Sequence, residues 1–121
     1  MNEKPNPLKD KSFHFALLTI KLYKHLAEEK REFVMSKQLL RSGTSIGANV
    51  REAQNAQSKA DFILKLSVSQ KECDEAMYWM ELLHQSEYLT EIKCQTHYSK
   101  AKEILKMLRS AIITSKKPVD S

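Results

Sequence analysis

No proline occurs between Leu8 and Lys117, and both glycines fall in one short stretch, "RSGTSIGANVREA", Arg41 to Ala53. Proline removes a backbone donor and clashes with the preceding turn, and glycine weakens a helix, so their near-absence leaves helix permitted almost throughout. With 121 residues, 41% hydrophobic and 29% charged, the chain has the length and balance of one folded domain with a modest core. The class read from this is all-α: a single domain over 1–121, with 1–11 and 117–121 expected as disordered tails.

Apolar spacing divides the interior into four helices. The first is expected after Ser12 as N-cap and runs to about Glu29, with Phe13, Ala16, Ile20, Tyr23 and Ala27 on one line. Phe15, Leu18, Leu22 and Leu26 form a second line beside it. One stripe is enough to dock a helix on a bundle, so the surplus calls for a partner in a wide core or across a subunit boundary. The second helix is expected over Ser36 to Gln57, with Leu39, Gly43, Ile46, Val50 and Ala53 in step. The third is expected from a Ser58 cap, through Phe62, Leu66, Ser69, Cys73, Ala76, Met80 and Leu83. After a connection at Gln85–Thr90, the fourth carries Cys94, Tyr98, Ala101, Leu105, Leu108 and Ile112 to about Lys116. Four amphipathic helices with short connectors predict an antiparallel up-down-up-down four-helix bundle.

Three readings compete for the glycine stretch. A phosphate-binding loop of the Walker type requires Gly-x-x-x-x-Gly-Lys-Ser/Thr, and Gly43 to Gly47 has neither the spacing nor the lysine. A helix break at Gly43 is the second. The preferred reading is an unbroken helix: both glycines are in phase with its apolar residues, and small residues four apart form a shallow groove admitting a neighbouring helix. Two interior glycines cost a helix about 1 kcal/mol each, so packing has to compensate.

The segment "SKQLLRSGTSIGANVREAQNAQSKADFILKLSVSQKECDEAMYWMELL", Ser36 to Leu83, resembles four-helix-bundle proteins encoded in intervening sequences of bacterial 23S ribosomal RNA genes. That family is related to the accessory protein of diversity-generating retroelements. Gln38, Arg41, Ser42, Ser45, Asn49, Glu52, Ala53, Ser58, Asp61, Phe62, Lys65, Leu66, Glu72, Glu75, Trp79, Leu82 and Leu83 stand where the family pattern has them. The first and fourth helices match only in length and apolar rhythm, and Gly43 and Met80 occupy variable positions. The resemblance implies an antiparallel bundle assembling into a ring-like homopentamer with a central channel and no enzymatic activity. In the retroelement branch it further implies a basic ring that binds RNA or DNA and contacts a reverse transcriptase.

Catalytic and metal chemistry find little support in the residues. Glu81 and His84 make one Glu-x-x-His, whereas di-iron bundles need two such motifs and two further glutamates. Cys94 and His97 offer two zinc ligands without a second pair. The serines lack a strand-turn-helix context, and the histidines are scattered. No enzyme, metal or cofactor is expected. Cys73 and Cys94 are too few for a disulfide framework, and no signal core or membrane-length apolar run is present, so a cytoplasmic protein with no membrane contact is expected.

What remains is contact with macromolecules. Arg41, Ser45 and Asn49 project from one face of the second helix, and antiparallel pairing would bring Arg41 near Glu72 or Glu75 of the third. These residues, with Gly43 and Gly47, are expected to form a helix-contact region and buried polar network. Phe15, Leu18, Leu22 and Trp79 are the candidate subunit interface. Lys37, Arg51, Lys59, Lys102, Lys106 and Arg109 are the candidate nucleic-acid contacts, the net charge being +5. The acidic stretch 61–90 and the basic stretches 37–60 and 91–121 also fit complementary helices attracting within the bundle. The function expected is a non-catalytic, homo-oligomeric scaffold contacting RNA or an RNA-handling protein. The alternative is a protein–protein interaction module without nucleic-acid affinity.

Overall fold

The computed structural model of the chain describes residues 4–118. Four helices make up the domain: α1 (Pro7–Glu28), α2 (Met35–Gln54), α3 (Lys59–Gln85) and α4 (Glu91–Lys116). The expected tail segments 1–3 and 119–121 lie outside the described residues.

The start of α1 corrects the expectation placed on Ser12. The Asn6 side chain accepts the Lys9 N–H at 3.1 Å, and Pro7 occupies the first turn, where its missing N–H has no helical partner to lose. Residues 7–11 are therefore helix rather than tail. Ser12 instead lies inside the helix, fully packed, its hydroxyl bonding back to the Lys9 carbonyl at 3.1 Å.

Only one of the two apolar lines of α1 is core. Ser12, Phe15, Thr19, Leu22 and Leu26 are buried, whereas Phe13 and Ile20 of the other line face outward. α2 runs unbroken through Gly43 and Gly47 and stops at Gln54, three residues before the expected Gln57. Its start depends on a residue that periodicity could not flag. The carboxylate of Glu32, itself buried, accepts the N–H groups of Val34, Met35 and Ser36 at 3.2, 3.0 and 2.9 Å. An anion there satisfies three orphan donors and complements the positive end of the helix. α3 begins as its cap predicts, Ser58 accepting the Asp61 N–H at 3.1 Å, and α4 begins directly after the expected connection, where Thr90 accepts the Lys93 N–H at 3.3 Å.

Contacts between neighbouring helices fix their directions. From α2 to α3, Arg41 meets Glu72, Ile46 meets Ser69 and Glu52 meets Lys65, one number rising as the other falls. Cys73 with Ala101 and Met80 with Cys94 show the same for α3 and α4. Lys11 with Glu103 and His25 with Lys93 show it for α1 and α4. Ser12 against Gly47 and Thr19 against Gly43 complete the circuit for α1 and α2. Each helix thus runs antiparallel to both its neighbours, around a core that includes Leu26, Leu39, Ile46, Leu66, Met80 and Leu108. No described helix is long and apolar enough to cross a membrane.

α1 and α2 approach each other closely at the two glycines. A Cβ placed on Gly43 would lie 2.6 Å from Thr19 Cγ2 and 2.8 Å from its Oγ1. One on Gly47 would lie 3.2 Å from the main-chain oxygen of Ser12. The glycines are therefore a helix-contact face, and α2 continues through both with no break and no positive φ.

Candidate functional site

The α2–α3 seam carries an ionic contact on its outer side. Arg41 Nη1 donates to Glu72 Oε2 at 3.1 Å and Oε1 at 3.4 Å, while Nη2 donates to Glu75. Glu75 Oε2 also accepts the Trp79 indole N–H at 3.1 Å, so one carboxylate ties both. This cluster corrects the expected buried network. The Arg41 side chain is 49% exposed, because its long stem reaches across the outside of the seam rather than through the core. Ser45 and Asn49 do not join it. Ser45 Oγ donates to the Arg41 carbonyl at 2.6 Å, and Asn49 Nδ2 to the Ser45 carbonyl at 2.9 Å, both within their own helix.

The candidate subunit interface is corrected as well. Phe15 and Leu22 are 1% and 4% exposed, inside the core, and so are closed to a partner. Leu18 and Trp79 are half-buried. The outward apolar residues of α1 are Phe13, Leu17 and Ile20, exposed by 52%, 46% and 36%. With Ala16, Thr44, Gly47 and Ala48 they line a shallow α1–α2 groove of about 490 Å³, edged by Lys9, Arg51 and Glu52. The Arg51 guanidinium stands over the Phe13 ring, 5.8 Å from its centre. The doubled apolar pattern of α1 signalled a surplus. Which line turned outward was decided by Gly43 and Gly47, which draw Ser12 and Thr19 inward and Phe15, Leu22 and Leu26 with them.

The candidate nucleic-acid residues are all exposed, but they do not form one cluster. Lys37 lies near the start of α2, at the opposite end of the bundle from Arg51 and Lys59. Lys59 Nζ donates to the Lys117 carbonyl at 3.2 Å, joining the start of α3 to the end of α4. Lys102, Lys106 and Arg109 share one face of α4 and carry no ion pair among the described residues.

The residues screened for chemistry come partly together. Glu81, His84, Cys94 and Tyr98 border one α3–α4 groove, where the Tyr98 hydroxyl donates to Glu81 Oε1 at 3.4 Å. Cys94 is buried, its thiol directed at the Met80 carbonyl at 3.7 Å. Burial, reinforced by Asp74, pushes the Cys73 thiol up to about 12, so it is protonated and unreactive at neutral pH. No group of three or more His, Cys, Asp or Glu side chains able to hold a metal ion occurs among the described residues.

Fold and surface together define an antiparallel four-helix bundle whose distinctive features are a close helix seam, an outward apolar groove and an ionic bridge. The chain matches the 23S rRNA-intervening sequence protein family over residues 6–110, and it belongs to that family. It is also similar to a crystal structure described as a protein with unknown function from the S23 ribosomal protein family, from Bacteroides thetaiotaomicron VPI-5482. The two chains are 54% identical, with a TM-score of 0.86, over 87% of this chain and 97% of the other. No curated protein matches the chain.

Proposed function

We propose that this protein is a non-catalytic, self-assembling scaffold of the cytoplasm: a homopentameric ring, as the family resemblance implies, in contact with RNA or an RNA-handling protein such as a reverse transcriptase. The observation that carries the reading is the exposed line Phe13, Leu17 and Ile20 beside the glycine groove. Apolar side chains aligned on one helix face and edged by charge are the pattern of a protein contact site. Exposed Leu64 and Tyr78 on α3 and Ile113 on α4 lie on other faces, so contact between unlike surfaces of successive copies would generate a ring rather than a two-fold dimer.

Sedimentation velocity tests the assembly. The wild-type protein is expected at five times the chain mass, and Leu17→Lys is expected to sediment as a monomer with unchanged helical circular dichroism. A monomeric wild-type protein at micromolar concentration would overturn the scaffold. An electrophoretic shift with RNA across a salt series separates the two partner classes. Binding that weakens steeply with salt supports nucleic acid, and no shift at low salt favours a protein partner alone.

A further inference from the structure

The antiparallel order gathers charge that is dispersed in sequence. A plane through the middle of the bundle passes near the Gly43–Thr19, Ile46–Ser69 and Cys73–Ala101 contacts. On one side lie residues 4–17, 46–71 and 102–118, with 12 basic and 4 acidic side chains. On the other lie 18–45 and 72–101, with 8 basic and 9 acidic. The described chain is therefore +8 in one half and −1 in the other. Resting on the nucleic-acid reading above, we infer that the phosphate backbone of RNA is bound at one pole only: the pole formed by the start of α1, the α2–α3 connection and the end of α4.

The spine of this pole is one stripe of α4. Lys102, Lys106, Arg109 and Lys116 recur at helical spacing around exposed Ile113, and no acidic residue occurs from Ile104 to Lys117. Lys59 adds its charge at the same pole, anchored to the Lys117 carbonyl. Two other cations there are already occupied, Lys11 by Glu103 at 2.7 Å and Lys65 by Glu52 at 3.6 Å. The stripe on α4 has no such partner among the described residues. Unpaired cations in register along one helix meet successive phosphates without reading bases, so the contact is salt-sensitive and tolerant of sequence. At the far pole, Glu81, Glu87 and Glu91 surround the α3–α4 connection and repel the same ligand. Lys37 belongs to that far half and is not part of the contact.

Fluorescence anisotropy with a labelled, mixed-sequence single-stranded RNA tests the placement. Two triple variants, each losing three exposed cations, are compared with the wild-type protein: Lys106→Gln/Arg109→Gln/Lys116→Gln at the proposed pole, and Lys21→Gln/Lys24→Gln/Lys37→Gln in the opposite half. The first is expected to lose at least roughly tenfold in affinity at low salt and to flatten the logarithmic salt slope by about 2, some 0.7 for each phosphate contact. The second is expected to bind within about twofold of wild type. Equal losses in both variants would overturn the one-pole placement while leaving RNA binding standing. A wild-type protein that does not bind RNA at low salt would overturn the nucleic-acid reading and the placement together. Matching circular dichroism and melting curves exclude unfolding as the cause of a loss.

Discussion

Gly43 is held by its neighbour rather than by its own backbone. The residue that excludes a side chain is Thr19, whose χ1 is stiff because it is β-branched and whose hydroxyl donates to the Phe15 carbonyl at 2.8 Å. Gly43→Ala gains about 1 kcal/mol of helix propensity but forces a contact that real Cβ atoms do not tolerate, and overpacking of this kind costs about 1–3 kcal/mol. The net expectation is a destabilisation of about 1 kcal/mol in urea unfolding. Adding Thr19→Ala removes both obstructing atoms, so the double variant is expected to recover more stability than the single changes predict when summed. Additive losses would show that the clash is not the cause. At Gly47 the obstruction is the main chain of Ser12, so relief there has to come from movement of α1 itself.

At the scale of the helix, apolar rhythm made the four elements and most of the core readable, because burial in a bundle acts at fixed spacing. The boundary at Ser58 was readable from its cap, and the one at Thr90 from the pause in the apolar rhythm between the third and fourth helices. The start of α1 at Asn6 was missed, and the Glu32 cap of α2 went unread although the start itself fell within one residue of Ser36, because both capping residues sit outside the apolar pattern. The outward line of α1 was misassigned because sequence shows two greasy lines and only the neighbouring helix decides between them. The Arg41 contact was legible as a register argument: two glutamates one turn apart on an antiparallel neighbour can meet one guanidinium. Its exposure was not legible, since a long side chain reaches a partner over the outside of a seam as readily as through it. That exposure limits its energetic weight. Arg41→Ala is expected to lower the melting temperature slightly, the loss of unfolding free energy being about 0.5–1 kcal/mol rather than the several that a buried pair would cost. An unchanged melt would assign the bridge no part in holding α2 against α3.

For the molecule as a whole, the proposed ring would link assembly to ligand binding. In the proposed ring, each subunit supplies one basic pole, and a polyanion long enough to cross several poles binds with avidity no single bundle has. Leu17→Lys removes no cation and adds one, so a monomer binding by charge alone would hold RNA as well as wild type. In the scaffold, by contrast, it is expected to bind at least roughly tenfold more weakly, because effective concentration is lost with the ring. Parallel titrations of wild type and variant at one salt concentration decide between these outcomes.

The uneven halves of the bundle bear on how such a ring closes. Copies related by rotation alone set like rims side by side, and a rim of +8 facing its own kind resists closure through space, over about 8 Å at physiological ionic strength. The oily strip on α1 has to overcome that mutual repulsion unless something else quenches it. Any counter-ion, whether dissolved salt or a strand of phosphates, then does double duty, acting as cargo and as clasp.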